Sequence, residues 1–374
     1  MVIMKLGLVV NPIAGMGGRV GLKGTDNVLS EAVAMGAEPV APKRAVEFLQ
    51  KLRIAKANLK VDILTCPSVM GEDDAKIAKY PVQLLSMSVR KKTSAEETKK
   101  AIRLIADARV DLIVFVGGDG TARDVRDALE KTPIPVLGIP SGVKMYSGIF
   151  ATNPADAVDV VIAFVENRAE LTDFEIMDAD ETLIRRDQFA VKLYGLMKGP
   201  FVPNYMQGSK ELSSDTSDEK ENQNAIAKFI IEQLPKNPTL ILGPGTTIET
   251  FAEHLGFEKT LLGVDVYSND GVILDVSEEK ILENVKDWTN TWIVLSPIGR
   301  QGILLGRGNQ QISPEIIKRV GKEHIIVAAT KTKLRDIDSH VLRVDTGDME
   351  TDEMLAGYVK VYTDYKEWRL VQVQ

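Results

Sequence analysis

Residues Asp111–Asp127 read DLIVFVGGDGTARDVRD, and this stretch decides the fold. Asp111–Val116 is read as a strand whose apolar run has no polar alternation, which is the pattern of a strand covered on both faces of a parallel sheet. The strand runs into Gly117-Gly118-Asp119-Gly120-Thr121, and a helical pattern follows to about Glu130. Glycines at such a junction let the backbone approach a ligand closely, and the new helix points unsatisfied N–H groups and a positive dipole end at it. The carboxylate in the middle is the unusual part, because it repels the phosphate that the turn would otherwise attract. Asp119 makes sense if it orients a metal or accepts a proton from an attacking hydroxyl. A purely architectural alternative is helix capping, with Thr121 and Asp124 spaced as a capping box.

Working outward, Lys5–Val10, Lys60–Thr65, Gln83–Ser86 and Ile134–Ile139 are the other expected strands of this part. Helices are expected at Lys43–Leu52, at Ser94–Ala108 with a Ser94/Glu97 capping box, and near Pro154–Glu166. Such alternation predicts an α/β domain with a parallel sheet, residues 1–168. Two alternating segments across Leu171–Pro203 read as an antiparallel hairpin, and a second, β-rich α+β domain is placed at residues 169–374. Its strands are expected at Thr239–Leu242, Leu261–Val266, Trp292–Leu295 and His324–Ala329. Helices at Ile248–Leu255, Glu278–Val285 and Pro314–Val320 lie between them. The tail Leu342–Val373 reads as a strand, a short helical stretch and a hairpin, and its periodicity does not decide on which domain it packs. The polar run at 207–224 reads as a solvated loop and helix start, with a mobile lid as the alternative.

Other glycine-rich strand ends are candidate phosphate contacts. Asn11-Pro12-Ile13-Ala14-Gly15-Met16-Gly17-Gly18 follows the first strand at the sheet edge where ligands bind in such folds. Val20 stands where a dinucleotide fingerprint needs its third glycine, and the chain has no GxxxxGK[ST] string. Ser141 and Lys144 follow the Ile134–Ile139 strand; Lys144 would neutralise charge on a transferring phosphate. Gly243, Gly245, Thr246 and Thr247 offer amides and hydroxyls to a phosphate or ribose. Arg307, between Gly306 and Gly308, offers a guanidinium fork.

Composition excludes several classes. The chain has 374 residues, 44% hydrophobic and 26% charged, with 46 Lys and Arg against 53 Asp and Glu. A net charge of −7 argues against a nucleic-acid binder, which carries a basic stripe. No apolar run reaches the roughly 18 residues of a membrane span, and no signal peptide is read at the start, so a cytoplasmic setting without membrane partners is expected. One cysteine, Cys66, rules out an intrachain disulfide and multi-cysteine metal sites, and is expected to be inert. Three histidines, His254, His324 and His340, have no paired spacing, and no protein-built metal site is expected.

GGDGT after an apolar strand, with Asn11-Pro12-x-Ala14-Gly15 after the first one, resembles the NAD kinase and diacylglycerol kinase superfamily. The chain is most similar there to an ATP-NAD kinase-like group that includes AcoX-related proteins. NPIAGMGGRVGLKGTD, GGDGTARDV, IPSGVKMYSGIFATNP, LGPGTTIE and LLGRGNQQ carry the resemblance. It implies a three-layer α/β domain, a β-rich second domain, an active site in the cleft between them and a homo-oligomer. It further implies transfer of a phosphoryl group from ATP or polyphosphate, with Mg²⁺, to the 2′-hydroxyl of NAD, giving NADP. By position, Asp119 would be the base, and Gly117, Gly118, Gly120 and Thr121 would surround the phosphates. NAD kinases grip the adenosine with an Asn-Glu/Asp pair that has no equivalent here; Asn269-Asp270 sits in a plain turn. A non-catalytic nucleotide-binding regulator and a kinase of another hydroxyl, such as a lipid, are the alternatives.

Overall fold

The computed structural model describes residues 4–16, 33–34, 36–55, 61–90, 93–129, 132–142, 145–179, 191–203, 205–206, 217–299, 301–337 and 340–374. Gly17, Gly18 and Lys144 lie outside the described residues, as does 207–216 of the polar run. The chain divides into two compact units, the first built mainly from residues up to Ser209 and the second mainly from Lys210 onward.

In the first unit five parallel strands, β1 (Met4–Val10), β2 (Val61–Thr65), β3 (Gln83–Leu84), β4 (Leu112–Gly117) and β5 (Val136–Pro140), lie in the order β3-β2-β1-β4-β5. Every residue of β4 and β5 is buried, as the unbroken apolar runs require. Among the described residues, helices α1 (Ala41–Ala55), α2 (Glu72–Ile77), α3 (Ala95–Asp107), α4 (Asp119–Ala128) and α5 (Pro154–Val165) pack with these strands. Phe48, Leu49, Ile102, Ile105, Val125 and Val161 close its core over the sheet. The Ser94/Glu97 capping box opens α3: the Ser94 N–H donates to Glu97 Oε2 at 3.0 Å.

The hairpin after residue 168 is β6 (Glu170–Ala179) against β7 (Val191–Phe201), antiparallel as expected. It packs with the first unit: Phe174, Ile176 and Met197 join the first core. At Gly199 a Cβ would lie 2.4 Å from the Val136 carbonyl oxygen, so the hairpin runs close over β5.

Nine strands form the second unit's mixed sheet, in the order β10-β9-β8-β11-β13-β15-β16-β14-β12. They are β8 (Thr239–Leu242), β9 (Asp265–Ser268), β10 (Gly271–Ile273), β11 (Thr291–Leu295), β12 (Ile303–Leu305), β13 (Ile325–Ala328), β14 (Val341–Val344), β15 (Gly357–Asp364) and β16 (Glu367–Val373). Strands β8, β11, β13 and β15 run parallel, and the tail hairpin β15–β16 joins this sheet. One face packs Leu240, Leu242 and Val294 on Ile226 and Ile230 of α6 (Ser217–Gln233) and on Phe251 of α7 (Thr246–His254). The other face packs on Ile281 of α8 (Glu278–Asn284) and on Ile316 and Ile317 of α9 (Pro314–Val320). The strand expected at Leu261–Val266 begins only at Asp265. Bends precede it because Asp265 is committed to a buried cluster: it pairs with Lys259 at 3.5 Å and accepts from Thr260 N–H and Oγ1–H. Short helices α10 (Lys331–Arg335) and α11 (Met349–Leu355) link the later strands.

Candidate active site

The strand order reverses between β1 and β4: the chain fills one side of β1 with β2 and β3, then the other with β4 and β5. In open parallel sheets, ligands bind at the carboxyl ends of the two strands that flank this reversal. The residues leaving those ends are Asn11 and Gly118. Asn11 ties the two loops together, its N–H donating to Val116 O at 3.0 Å and its Nδ2–H to Thr121 Oγ1 at 2.9 Å. Thr121 therefore answers Asn11, and Asp124 pairs with Lys99 at 3.5 Å, so the capping box expected between Thr121 and Asp124 is absent. Gly117 has a steric reason, since a Cβ there would lie 2.4 Å from Thr121 Oγ1.

The loop after β5 reaches the same edge. Ser141 N–H donates to Gly117 O at 3.0 Å. Gly15, with φ +85°, passes so close that a Cβ would fall 2.1 Å from the Ser141 carbonyl oxygen. Ser141 Oγ is buried without a hydrogen-bond partner, an orphan hydroxyl where three loop ends meet. These contacts tie Asn11, Gly15, Gly117, Thr121 and Ser141 together at one sheet edge, with Gly118, Asp119 and Gly120 between Gly117 and Thr121 in the chain.

Asp119 is half-buried at the first residue of α4. Its Oδ2 accepts from the Tyr146 N–H at 2.7 Å and its Oδ1 from the Ser147 N–H at 3.0 Å. An ionised carboxylate only accepts, and bonds from two amides fix both its position and its plane. The loop is held in turn by the hairpin, Met177 N–H donating to Ser147 Oγ at 2.9 Å and Gly148 N–H to Glu175 O at 3.0 Å. The Tyr146 and Ser147 amides are invisible in the sequence because backbone donors leave no residue-type signal. Further along α4, Lys99 Nζ meets Asp127 Oδ2 at 3.0 Å and Tyr194 O–H donates to Asp127 Oδ1 at 2.8 Å. Burial pushes the Asp124 carboxyl up despite the Lys99 charge. Burial also acts upward on Asp127, but the bonds from Lys99 and Tyr194 outweigh it and hold that carboxyl low.

In the second unit, Gly243, Gly245, Thr246 and Thr247 link β8 to α7. The Gly243 N–H donates to Val294 O at 2.9 Å and the Gly245 N–H to Leu261 O at 2.8 Å. Pro244 has no N–H, so the donors this loop can direct at an anion are the first-turn amides of Thr246 and Thr247. Arg307 is buried, 5% exposed, in the turn that follows β12. Burial also pushes the Cys66 thiol up to about 11, which leaves it unreactive.

Residues 6–169 match the sequence model of the ATP-NAD kinase N-terminal domain, and residues 236–373 that of the ATP-NAD kinase C-terminal domain. The chain belongs to the ATP-NAD kinase family. As expected from GGDGT, it is a kinase-superfamily chain with a parallel-sheet α/β unit followed by a β-rich mixed one.

No curated protein matches the chain. Among solved structures, a diacylglycerol kinase from Bacillus anthracis str. Sterne is 19% identical over 48% of this chain and 47% of its own, with a TM-score of 0.21. UDP-GlcNAc 2-epimerase from Neisseria meningitidis is 11% identical over 94% and 80%, with a TM-score of 0.24. The chain thus spans less than half the length of the diacylglycerol kinase that it matches.

Among the described residues no three His, Cys, Asp or Glu side chains converge as a metal cage. Were a Mg²⁺ ion to arrive with donor phosphates, Asp119 is the carboxylate that the β1/β4 edge would offer it, and the ion would neutralise phosphoryl charge. No helix among the described residues is long and apolar enough to cross a membrane.

Proposed function

We propose that the protein is a phosphotransferase that moves a phosphoryl group from ATP or polyphosphate to the 2′-hydroxyl of NAD, giving NADP. The observation that carries this reading is the seating of Asp119, a carboxylate clamped by two amides at the strand-order reversal. Membership of the ATP-NAD kinase family supports the choice of NAD. In this reading Asp119 accepts the proton of the ribose hydroxyl as its oxygen attacks phosphorus. Amides of the Gly15 and Gly118–Thr121 segments and the positive end of α4 hold phosphate oxygens. Ser141 Oγ gains the partner it lacks in the protein. Lys144 and the Thr246/Thr247 amides are further candidates for phosphate charge, and a cytoplasmic homo-oligomer is part of the proposal.

A second reading has a specific observation behind it. The Asp119 clamp would hold the 145–148 loop even in a nucleotide-binding regulator that catalyses nothing. The test is to mix the purified protein with NAD, ATP or polyphosphate, and Mg²⁺, and to assay NADP. Product formation supports the kinase. A melting-temperature rise with NAD or ATP but no product favours the regulator. ADP release only with another hydroxyl compound, a lipid included, moves the acceptor elsewhere.

A further inference from the structure

The hairpin β6–β7 forms a two-stranded sheet of its own with an inner and an outer face. Phe174, Ile176 and Met197 lie on the inner face and are buried in the first core. Side chains alternate along a strand, so the positions between them point outward. On the outer face Asp173 lies directly opposite Lys198, and Glu175 opposite Leu196. Leu171 precedes them on β6, and past the bulge after Ile176, Met177 lies opposite Leu193. Leu171, Leu193 and Leu196 are 49%, 56% and 55% exposed. One half-exposed leucine is ordinary; three on one face of a single hairpin make a patch, and patches of that kind mark contact surfaces.

The charges on this face are unspent. Asp173, Glu175 and Lys198 are exposed, and none of them has an ion pair among the described residues, even though Asp173 and Lys198 are cross-strand neighbours. The face therefore carries carboxylates on the β6 side, an ammonium group on the β7 side and leucines around both. Such a face is complementary to itself. A two-fold axis parallel to the strands lays β6 of one copy over β7 of the other at the same level. Asp173 of each copy then meets Lys198 of the other, with apolar contacts on either side. An axis across the strands would instead stack carboxylates on carboxylates, so charge selects the first arrangement.

We propose that the outer face of β6–β7 is where two copies of this chain pair, face to face about a two-fold axis parallel to the strands. Two strands of this length offer roughly 300–400 Å², against about 800 Å² per partner in a standard stable interface, so the dimer is a reversible one. Pairing there also braces the backbone that holds Ser147 and Gly148 beside Asp119. The proposal gives a surface to the homo-oligomer of the functional reading and rests on none of its phosphotransfer chemistry.

The experiment is sedimentation velocity of the full chain over a concentration series, with Asp173→Lys, Lys198→Asp and the double reversal alongside. The wild type should rise reversibly from the mass of one chain to that of two. Each single reversal sets like charges together twice per dimer and should weaken association about tenfold or more. The double reversal should restore it. An equimolar mixture of the two single variants should also pair, because one then presents only cations at 173 and 198 and the other only carboxylates. Recovery in that mixture shows that the single variants are folded. A wild type that stays monomeric to several hundred micromolar overturns the proposal. So does a dimer that the single reversals leave unchanged, or a mixture that pairs no better than its components. Formation of NADP, or its absence, bears on the phosphotransfer reading alone.

Discussion

At the scale of the residue, Asp119 has two jobs that one substitution separates. In Asp119→Asn one of the two amides at 146 and 147 faces an NH₂ group and loses its acceptor, so a loss of about 1–3 kcal/mol of stability is expected in urea unfolding. If the carboxylate is the base, kcat for NADP formation should also fall by roughly 10²–10⁴. The acid limb of the pH–rate profile should vanish with it. A carboxylate that only shapes the loop would lower the rate equally at all pH values, and that outcome would refute its role as base. Gly15 is the second sensitive residue. Gly15→Ala puts a methyl 2.1 Å from the Ser141 carbonyl oxygen at a left-handed backbone position. The strained backbone costs about 1–3 kcal/mol before the clash is counted. A Gly15→Ala protein that melts like the wild type would show that the loops are not packed as described.

At the scale of the element, the hairpin β6–β7 has more to do with the site than its sequence conveys. Its alternation is enough to predict two paired strands, because period-two patterning reports which face is buried. Nothing in that pattern says which sheet lies beneath, and the texture change near residue 168 assigns the hairpin to the second domain. Its backbone in fact grips Ser147 and Gly148, and these belong to the loop that clamps Asp119. Tyr194 fastens the same hairpin to α4 through Asp127. Tyr194→Phe should therefore cost about 1–2 kcal/mol in equilibrium unfolding and lower kcat more than it raises the KM for ATP. An unchanged kcat would mean that the hairpin does not position the loop. The GGDGT strand–turn–helix is legible in the sequence because an unbroken apolar strand ending in glycines fits a covered parallel sheet and little else. The clamp and the Asn11–Thr121 tie are not legible, since they depend on residues tens of positions apart or on backbone amides.

At the scale of the whole molecule, stability should carry the mark of a single buried acid. Asp74 lies 3% exposed at the start of α2, with Oδ2 unpaired, and burial, helped by the neighbouring Asp73 charge, pushes its carboxyl up to about 7. A carboxyl raised in the folded state holds its proton there after the unfolded chain has released it. Its contribution is thus fully present below the unfolded value near 4 and is lost as the pH climbs to about 7. At roughly 1.4 kcal/mol per unit the shift corresponds to at most about 4 kcal/mol, enough to matter in a protein of ordinary marginal stability. Asp74→Asn cannot ionise and escapes the loss. Thermal melts at pH 4.5 and pH 8 should show the variant close to the wild type at the lower pH and several degrees more stable at the higher one. The gap should open between pH 5 and 7. Parallel melting curves across that window would mean that Asp74 finds water or a partner once ionised, and that the first unit tolerates a charge where its packing leaves Oδ2 without a hydrogen bond.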